Sequence, residues 1–368
     1  MKVGIFTFPN SKSFGASLQM YAIFRAVQKL GHDVEIINYQ NKYMKSEKHI
    51  VSKSTSKRIR RFISNIFHFP QKRAFHTFEK IYLCKYPSRI LSDSKKLQII
   101  SKRYNAVICG SDQIWNPNIT GNDINYFLRF CGESTKRIAY APSFGVDEVT
   151  DDFGTAIREE LTKFSALSVR EKEGSELVKR LIGKDINVVL DPTFLIEANE
   201  WQSIEKQHPI VKDGEYILYY TIRSSENLWN RCKILSAKTG LKIIRVGGNA
   251  IKRITNKEPM IDYASNLSPS EWLSLVHHAR YVVTNSFHGS VFSIIYHKNF
   301  YVEFSSLTNS RLKQITELSG LEDRIINEGV EITPSNIDYN RVDERLNDIK
   351  KTSANYLKAA LDEAINYG

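Results

Sequence analysis

The residues best suited to carry out chemistry lie in one short polar segment in the second half of the chain. It reads Thr284-Asn285-Ser286-Phe287-His288-Gly289-Ser290 and follows apolar residues at 281–283. The pattern predicts a buried strand over 281–284, a polar turn, and a helix that begins at Gly289. Such a turn presents free backbone N–H groups and the positive end of a helix dipole, so it favours an anionic ligand. His288 could then donate a proton or a hydrogen bond to that ligand, although a histidine after a strand is more often structural.

Polar residues also follow four predicted strands in the first half of the chain. The strands are expected at 105–110, 137–142, 165–169 and 187–190. The polar residues that follow them are Ser111-Asp112, Ser143, Arg170-Glu171 and Asp191. In an open parallel sheet the carboxyl ends of the strands line the ligand crevice, so these side chains predict a binding surface. Each one alone is weak support, because polar strand ends occur in any α/β domain.

The elements that must position these residues alternate between strands and helices. A strand over 2–8, a helix over 16–30 and a strand over 34–38 make a βαβ unit, which begins a parallel sheet. A second α/β series begins after residue 195. We therefore predict an α/β protein with two Rossmann-like domains, 1–195 and 196–368, that face each other across a cleft in a GT-B-like architecture. A final amphipathic helix, about 341–367, could pack back on the first domain.

Composition and motifs exclude several classes of protein. Hydrophobic residues make up 42% of the 368 residues and charged residues 25%, as in ordinary soluble proteins. The first loop lacks a GxGxxG motif, and no DxD-type pair follows a predicted strand, so neither a dinucleotide cofactor nor a metal is expected. The four cysteines, Cys84, Cys109, Cys131 and Cys232, form no CxxC pair and are expected to be reduced thiols. With no signal-peptide pattern or membrane-spanning apolar segment, we expect a cytoplasmic protein.

Positive charge is concentrated in a predicted helical insertion at about 42–104. The net charge of the chain is +12, and residues 42–73 contain ten Lys or Arg residues and a single acid, Glu47. Aromatic residues alternate with these cations at helical spacing, as in a helix that lies on anionic lipid. Ordinary amphipathic helices packed on the core would give the same pattern. No RRM, KH or zinc pattern supports nucleic-acid binding, so nucleic acid is not an expected partner.

Five motifs, in this order, resemble those of the polysaccharide pyruvyl transferase family. They are Asn10 with Phe14-Gly15-Ala16-Ser17-Leu18-Gln19, Gly110-Ser111-Asp112-Gln113-Ile114-Trp115-Asn116, Ser168-Val169-Arg170-Glu171, Asp191-Pro192-Thr193, and Ser286-Phe287-His288-Gly289. The resemblance implies a GT-B-like enzyme that moves the enolpyruvyl unit of phosphoenolpyruvate onto a sugar as a ketal, without a cofactor. In the family an arginine and an apolar residue usually precede the His-Gly pair, whereas Ser286 occupies the arginine position here.

The resemblance also implies roles for individual residues on the donor side. Arg170 matches the second donor arginine of the family, and an arginine fork suits carboxylate and phosphate groups. Arg223 and Arg311 could supply the charge that is missing at Ser286. The remaining donor-binding residues are Phe287, Gly289 and Ser290. His288 could protonate the enol methylene carbon or stabilise the departing phosphate. Asp112 is expected to accept the hydroxyl proton, with Asp191 as the second choice.

On the acceptor side, the expected residues share the first loop and the loop after the 105–110 strand. They are Asn10, Gly15, Gln19, Ser111 and Trp115. Trp115 could stack on a sugar ring or belong to the core. The acceptor would be a polymeric or lipid-linked glycan, with possible membrane contact through 42–73 at the inner face. Two other functions stay open: a glycosyltransferase that uses a nucleotide sugar, with Glu303 on the ribose, and a glycan-binding scaffold without catalysis.

Overall fold

The structure of the chain is a computed structural model. The structure describes residues 1–9, 11–44, 55–83, 90–247, 259–304, 309–326 and 332–365, with the side chains of 55–68 and 309 excepted. These residues form two compact units. Unit one comprises Met1–Arg61, His76–Ile196 and Asp348–Gly368, and unit two comprises Phe62–Phe75 and Glu197–Asn347. Each unit is built on its own parallel sheet.

The sheet of unit one contains six described strands in the order β2-β1-β3-β4-β5-β6. They are β1 Lys2–Phe6, β2 Asp33–Ile36, β3 Ala106–Cys109, β4 Lys136–Ala139, β5 Ala166–Val169 and β6 Asn187–Val188. All pairings are parallel. Because β2 lies on one side of β1 and β3 on the other, the direction of winding reverses between β1 and β3. Ligands of open α/β sheets bind outside the carboxyl ends of the strands at such a switch point.

The sheet of unit two contains five described strands in the order β11-β10-β7-β8-β9. They are β7 Tyr216–Tyr220, β8 Lys242–Val246, β9 Ile261–Ala264, β10 Tyr281–Thr284 and β11 Asn299–Val302. All pairings are again parallel. This is the Rossmann order, and its switch point lies between β7 and β10. The polar segment that follows β10 therefore begins where a ligand site is expected.

Helices connect the strands and cover the sheets. In chain order they are α1 Phe14–Lys29, α2 Thr55–Tyr82, α3 Ser94–Ser101, α4 Pro117–Thr120, α5 Asp151–Thr162, α6 Lys172–Ile182, α7 Ala198–Ser203, α8 Glu226–Thr239, α9 Pro269–His277, α10 Phe287–Ile295, α11 Asn309–Ser319 and α12 Tyr339–Ile365. Short 3-10 turns occupy Ile124–Phe127, Pro192–Leu195 and Glu322–Arg324. Helix α9 begins with a capping box in which the side chains of Ser268 and Glu271 each accept a hydrogen bond from the other's backbone N–H.

The last helix, α12, contributes residues to both units. Its first part, through Asn347, belongs to unit two, and the residues from Asp348 onward belong to unit one. There Ser353 Oγ accepts a hydrogen bond from the Leu190 backbone N–H at 2.9 Å, and the Tyr356 hydroxyl donates to the Ala139 carbonyl at 3.0 Å. These bonds satisfy backbone groups at the ends of strands in the unit-one sheet.

The predicted fold class agrees with this structure, in that both units are α/β and both sheets are parallel. Five of the described helices and strands went unpredicted: β9, α4, α5, α6 and α7. The predicted start of the helix at Gly289 was wrong by two residues, because α10 begins at Phe287 with Ser286 as its N-cap. None of the helices in the described ranges combines the length and apolar character needed to span a bilayer.

Candidate functional site

Side-chain hydroxyl groups within the turn between β10 and α10 fix its conformation through hydrogen bonds. Ser286 Oγ accepts a hydrogen bond from the Gly289 backbone N–H at 3.3 Å, as an N-cap does. Thr284 Oγ1 accepts from the Ser286 backbone N–H at 3.0 Å, and Ser290 Oγ donates back to the Ser286 carbonyl at 3.3 Å. Gly289 is required by space, because a Cβ there would lie 2.5 Å from Thr284 Oγ1. The turn therefore has one defined conformation before a ligand binds.

Asn285 joins this turn to the loop that follows β7, across the switch point. Its side-chain Oδ1 accepts a hydrogen bond from the Ile222 backbone N–H at 2.9 Å, and its Nδ2 donates to the Arg223 carbonyl at 2.9 Å. The side chain is 2% exposed. Sequence reasoning missed this role, although an asparagine directly after a buried strand could have suggested it. The side chain of Arg223 itself is exposed.

His288, Phe287 and Arg311 lie together at the amino-terminal end of α10. His288 is in the first turn of the helix and 8% exposed, with its ring 5.1 Å from that of Phe287 in an edge-on arrangement. The Arg311 guanidinium lies 5.9 Å from the centre of the Phe287 ring, and Arg311 is 6% exposed. A buried cation beside the positive end of a helix dipole creates a local positive potential. This arrangement favours a ligand with negative charge.

Tyr220 adds a further polar group beside the turn. It ends β7, next to β10 in the sheet, and its hydroxyl hydrogen-bonds with Ser286. Burial raises the pKa of Tyr220 to about 12, and the bond with Ser286 opposes part of that rise. The phenol therefore stays protonated near neutral pH and can act as a hydrogen-bond donor.

In unit one, Arg170 and Asp191 form a buried ion pair at the ends of β5 and β6. Arg170 Nη1 lies 2.9 Å from Asp191 Oδ2, and Arg170 Nε lies 3.7 Å from Glu171 Oε2. Burial opposes the charge on Arg170, but the carboxylates of Asp191 and Glu171 outweigh it, so the net effect raises the pKa of Arg170. The arginine that was predicted to bind the donor is thus held in place by two acidic neighbours.

Asp191 is a structural residue in this arrangement, which corrects its place as the second choice of base. Its Oδ2 also lies 3.1 Å from Ser111 Oγ, and its Oδ1 accepts hydrogen bonds from the Thr193 backbone N–H and hydroxyl. The carboxylate is 1% exposed and both oxygens are engaged. Asp112 differs, because it is only partly buried, and its Oδ1 accepts a hydrogen bond from the backbone N–H of the adjacent Gln113 at 2.8 Å.

Gln19 and Ser111 meet at the switch point of unit one. Gln19 Oε1 accepts from the Ser111 backbone N–H at 3.1 Å, and Gln19 Nε2 donates to Thr7 Oγ1 at 2.9 Å. Ser111 Oγ donates to the Ala141 carbonyl at 2.9 Å. All of these side chains are buried, so they shape the strand ends and present little surface to an acceptor. Gly15, in the first turn of α1, is buried as well.

Trp115 belongs to the core, and its predicted alternative as a sugar-stacking platform is wrong for this structure. The side chain is 0% exposed, and its indole N–H donates to the Tyr126 carbonyl at 3.0 Å. Its ring stacks on Phe127 at 4.8 Å and packs against Phe144. No face of the ring is accessible to a sugar. Asn10, the remaining acceptor-side residue, lies outside the described residues.

The described cysteines offer no reactive thiolate. Cys109, Cys131 and Cys232 are buried and free, as the sequence suggested. Burial raises the pKa of Cys109 and Cys232 well above the usual range and that of Cys131 to about 12. These three thiols are protonated near neutral pH and are poor nucleophiles. Cys84 lies outside the described residues.

Solved structures place the chain in the GT-B fold class. A Listeria monocytogenes protein assigned as a UDP-N-acetylglucosamine 2-epimerase shares 10% identity over 97% of this chain and 90% of its own, with a TM-score of 0.52. S. aureus MnaA in complex with UDP gives the same coverage and TM-score at 9% identity. UDP-GlcNAc 2-epimerase from Neisseria meningitidis gives 9% identity over the full length of both chains, with a TM-score of 0.50. At these identities the similarity defines the fold alone.

The family is defined by the sequence match. The polysaccharide pyruvyl transferase profile covers residues 14–302, and the chain belongs to this family. The protein is therefore a transferase, with pyruvyl transfer to polysaccharide as its general activity. The predicted family is confirmed. Among curated proteins, none shows significant sequence similarity to the chain.

Proposed function

We propose that the protein transfers the pyruvyl group of phosphoenolpyruvate to a sugar and forms a ketal with two of its hydroxyls. The observation that carries the proposal is the position of the buried Arg311. Its guanidinium lies beside the ring of Phe287, and Phe287 is in the first turn of α10. Phosphoenolpyruvate carries a carboxylate and a phosphate, and a helix N-terminus with an arginine is suited to such groups. Arg311 can supply the charge that Ser286 lacks, while the backbone N–H groups of Phe287 and His288 belong to the first turn of the same helix.

The proposed reaction adds two sugar oxygens to one carbon of the donor. A proton adds to the methylene carbon C3, which becomes the methyl group, and C2 develops oxocarbenium character. The two hydroxyl oxygens form bonds to C2, and the C2–O bond to phosphate breaks. The two sugar hydroxyls together release two protons. One replaces the proton that was added to C3, and the other is carried away by the departing phosphate. Inorganic phosphate is therefore the second product.

The described residues support a division of roles in this reaction. We assign proton donation to C3, or to the departing phosphate, to His288, because it is in the first turn of the proposed donor helix. We assign acceptance of a hydroxyl proton to Asp112, because its carboxylate is partly exposed whereas that of Asp191 is fully engaged. We give Arg311 precedence over Arg170 as a donor ligand, since Arg170 is already neutralised by buried carboxylates.

We further propose that the acceptor is lipid-linked and that the protein meets it at the inner face of the membrane through residues 42–73. The support is the charge of that segment, with ten cations and one acid, and its helical backbone over Thr55–Tyr82. Residues 45–54 and the side chains of 55–68 lie outside the described part. Flotation with vesicles that contain anionic lipid should show binding at low salt that is lost as salt is raised. No binding at low salt would contradict this proposal.

A nucleotide sugar is the second candidate donor. Its support is Glu303, which directly follows β11. Glu303 Oε1 accepts a hydrogen bond from Asn227 Nδ2 at 2.8 Å, and the same carboxylate is suited to bind the hydroxyl groups of a ribose. Two of the similar structures were solved with UDP or UDP-GlcNAc. Thermal unfolding of the protein with phosphoenolpyruvate, UDP and UDP-GlcNAc separates the candidates, because a ligand that binds only the folded state raises its Tm.

The experiment that tests the donor measures phosphate release from phosphoenolpyruvate in the presence of polymeric and lipid-linked glycans. Replacing His288→Asn should lower kcat about a hundredfold or more if the imidazole is a general acid. Replacing Arg311→Met should raise KM for phosphoenolpyruvate about tenfold to a hundredfold, as expected for loss of a charged hydrogen bond. Arg280→Met is the matched control, because Arg280 is exposed at the other edge of the same sheet. Transfer from a nucleotide sugar, without phosphate release from phosphoenolpyruvate, would refute the proposal.

A further inference from the structure

A cluster of one carboxylate and two histidines lies at the amino-terminal edge of the sheet in unit two. Glu205 follows α7, and His277 and His278 end α9 shortly before β10 begins. The proposed donor turn lies at the carboxyl-terminal edge of the same sheet. The cluster is therefore separate from that turn. All three side chains are partly buried, so water can still reach them.

The three side chains converge through defined atoms. His277 Nδ1 lies 3.1 Å from each oxygen of the Glu205 carboxylate, and His278 Nε2 lies 3.9 Å from Glu205 Oε2. One ligand atom from each residue can be chosen so that all lie within 4.8 Å of one another. Bonds of about 2.0–2.1 Å in a tetrahedral zinc site place the ligand atoms roughly 3.4 Å apart. The cluster is close to this spacing, and small rotations of the side chains would complete it.

A second polar group holds the other nitrogen of each histidine. His278 Nδ1 lies 3.1 Å from Asp213 Oδ1, and His277 Nε2 lies 3.4 Å from the amide nitrogen Nε2 of Gln202. In metal sites the ligating histidine almost always donates its second N–H to a carboxylate, a carbonyl or water, which fixes the ring and its tautomer. His278 follows this pattern through the Asp213 carboxylate. The Gln202 atom that faces His277 is the amide nitrogen, a donor, so this amide must turn to present Oε1 when His277 Nδ1 binds a metal. Both rings have one nitrogen towards Glu205. The His277 ring is fixed further by stacking on Tyr296, with centroids 4.7 Å apart.

The charges around the cluster are compatible with a cation. Glu205 and Asp213 provide two carboxylates, and the nearby Lys298 opposes them. Burial lowers the pKa of Lys298, Arg280 lowers it further, and the two carboxylates offset part of that effect. The ammonium group therefore loses its proton more easily than an exposed lysine.

We infer that Glu205, His277 and His278 form a binding site for a divalent transition-metal ion of the zinc class. Two imidazoles and one carboxylate form a donor set that zinc commonly uses, with water at the remaining position. The ion links the segment after α7 to the end of α9, which are separated by about 70 residues of chain. Its role is structural stabilisation of unit two, because the site lies at the opposite sheet edge from the proposed donor turn.

The test uses the full chain after removal of metal by a chelator. Titration calorimetry with Zn²⁺ should show one ion bound per chain, and Zn²⁺ should raise the Tm. Replacing His278→Gln or Glu205→Gln should weaken Zn²⁺ affinity at least tenfold, and Asp213→Asn should weaken it about tenfold to a hundredfold through loss of ring orientation. Co²⁺ provides a second readout, because bound cobalt should absorb visible light and the absorption should be lost in the two ligand variants.

His297→Gln is the matched control. His297 Nε2 lies 3.1 Å from Asp343 Oδ2 in the same unit, so this pair has a histidine and a carboxylate, but no third ligand lies near it among the residues that the structure describes. This variant should bind Zn²⁺ as the wild type does. The inference is overturned if the wild type shows no stoichiometric binding, or if neither ligand variant binds Zn²⁺ more weakly than the control. The cluster would then be a hydrogen-bonded group without a metal.

Discussion

Asn285 offers the sharpest test of how the proposed donor turn is positioned. It lies at the switch point of unit two, and its side chain makes hydrogen bonds of 2.9 Å to the Ile222 N–H and the Arg223 carbonyl. Asn285→Ala removes both bonds and leaves a small cavity between the ends of β7 and β10. The turn that presents His288 should then lose its fixed position relative to β7.

The expected size of the effect follows from the two bonds. A typical hydrogen bond contributes about 1 kcal/mol, and two contribute about 2 kcal/mol. Ile222 and Arg223 are themselves exposed, so in the variant water can hydrogen-bond to the Ile222 N–H and the Arg223 carbonyl. The loss of stability should therefore be smaller than for two buried backbone groups left without any partner. About 2 kcal/mol corresponds to a fall in Tm of roughly 4–8 °C for a domain of this size.

The assay combines urea unfolding with the effect of phosphoenolpyruvate on the Tm. Asn227→Ala is the matched control, since Asn227 also bonds through its amide, to Glu303 at 2.8 Å, but is exposed. That control should cost less than about 0.5 kcal/mol. Asn285→Asp should keep the bond to the Ile222 N–H, place a carboxylate against the Arg223 carbonyl, and weaken binding of phosphoenolpyruvate by repulsion. Equal stability of Asn285→Ala and the control would refute this reasoning.

Two further substitutions test other contacts. Gly289→Ala should destabilise unit two by about 1–3 kcal/mol in urea unfolding, because the new Cβ would lie 2.5 Å from Thr284 Oγ1. Gly132→Ala is the control and should be neutral, because no atom lies within 4 Å of its new Cβ. Equal losses of unfolding free energy in the two variants would contradict the close contact at Gly289. Asp191→Asn should destabilise unit one by about 3 kcal/mol, since it leaves the buried Arg170 without its nearest carboxylate. A urea midpoint unchanged from the wild type would show that the pair adds nothing to stability.

The fold class and the position of the polar turn after β10 were predictable because they depend on local patterns. The apolar residues 281–283 identify a buried strand, and Ser286 to Ser290 identify the polar connection after it. The start of α10 was misplaced because Gly289 was taken as the helix opening. Serine is a common N-cap residue, and taking Ser286 as the N-cap would have placed the start of the helix correctly at Phe287. The short strand β9 was missed because polar Asp262 interrupts its apolar pattern.

The roles of side chains in the sites were less predictable because they depend on distant parts of the chain. Trp115 is buried by Phe127 and Phe144, and nothing in its own polar turn indicates that packing. Asn285 acts on a loop more than 60 residues earlier. The cluster of Glu205, His277 and His278 was not predicted, because Glu205 is far in sequence from the adjacent pair of histidines. Sequence spacing alone does not show which loops share a sheet edge.

The division of α12 between the two units has a consequence for the order of folding. Leu190 and Ser353 are separated by 163 positions, yet their hydrogen bond belongs to unit one. During synthesis the six strands of unit one leave the ribosome before the whole of unit two is made, and their covering helix arrives later. Contacts of such long range form slowly, because a large loop must close first. Unit one therefore completes its folding only after unit two has been synthesised, although its sheet comes first in the chain.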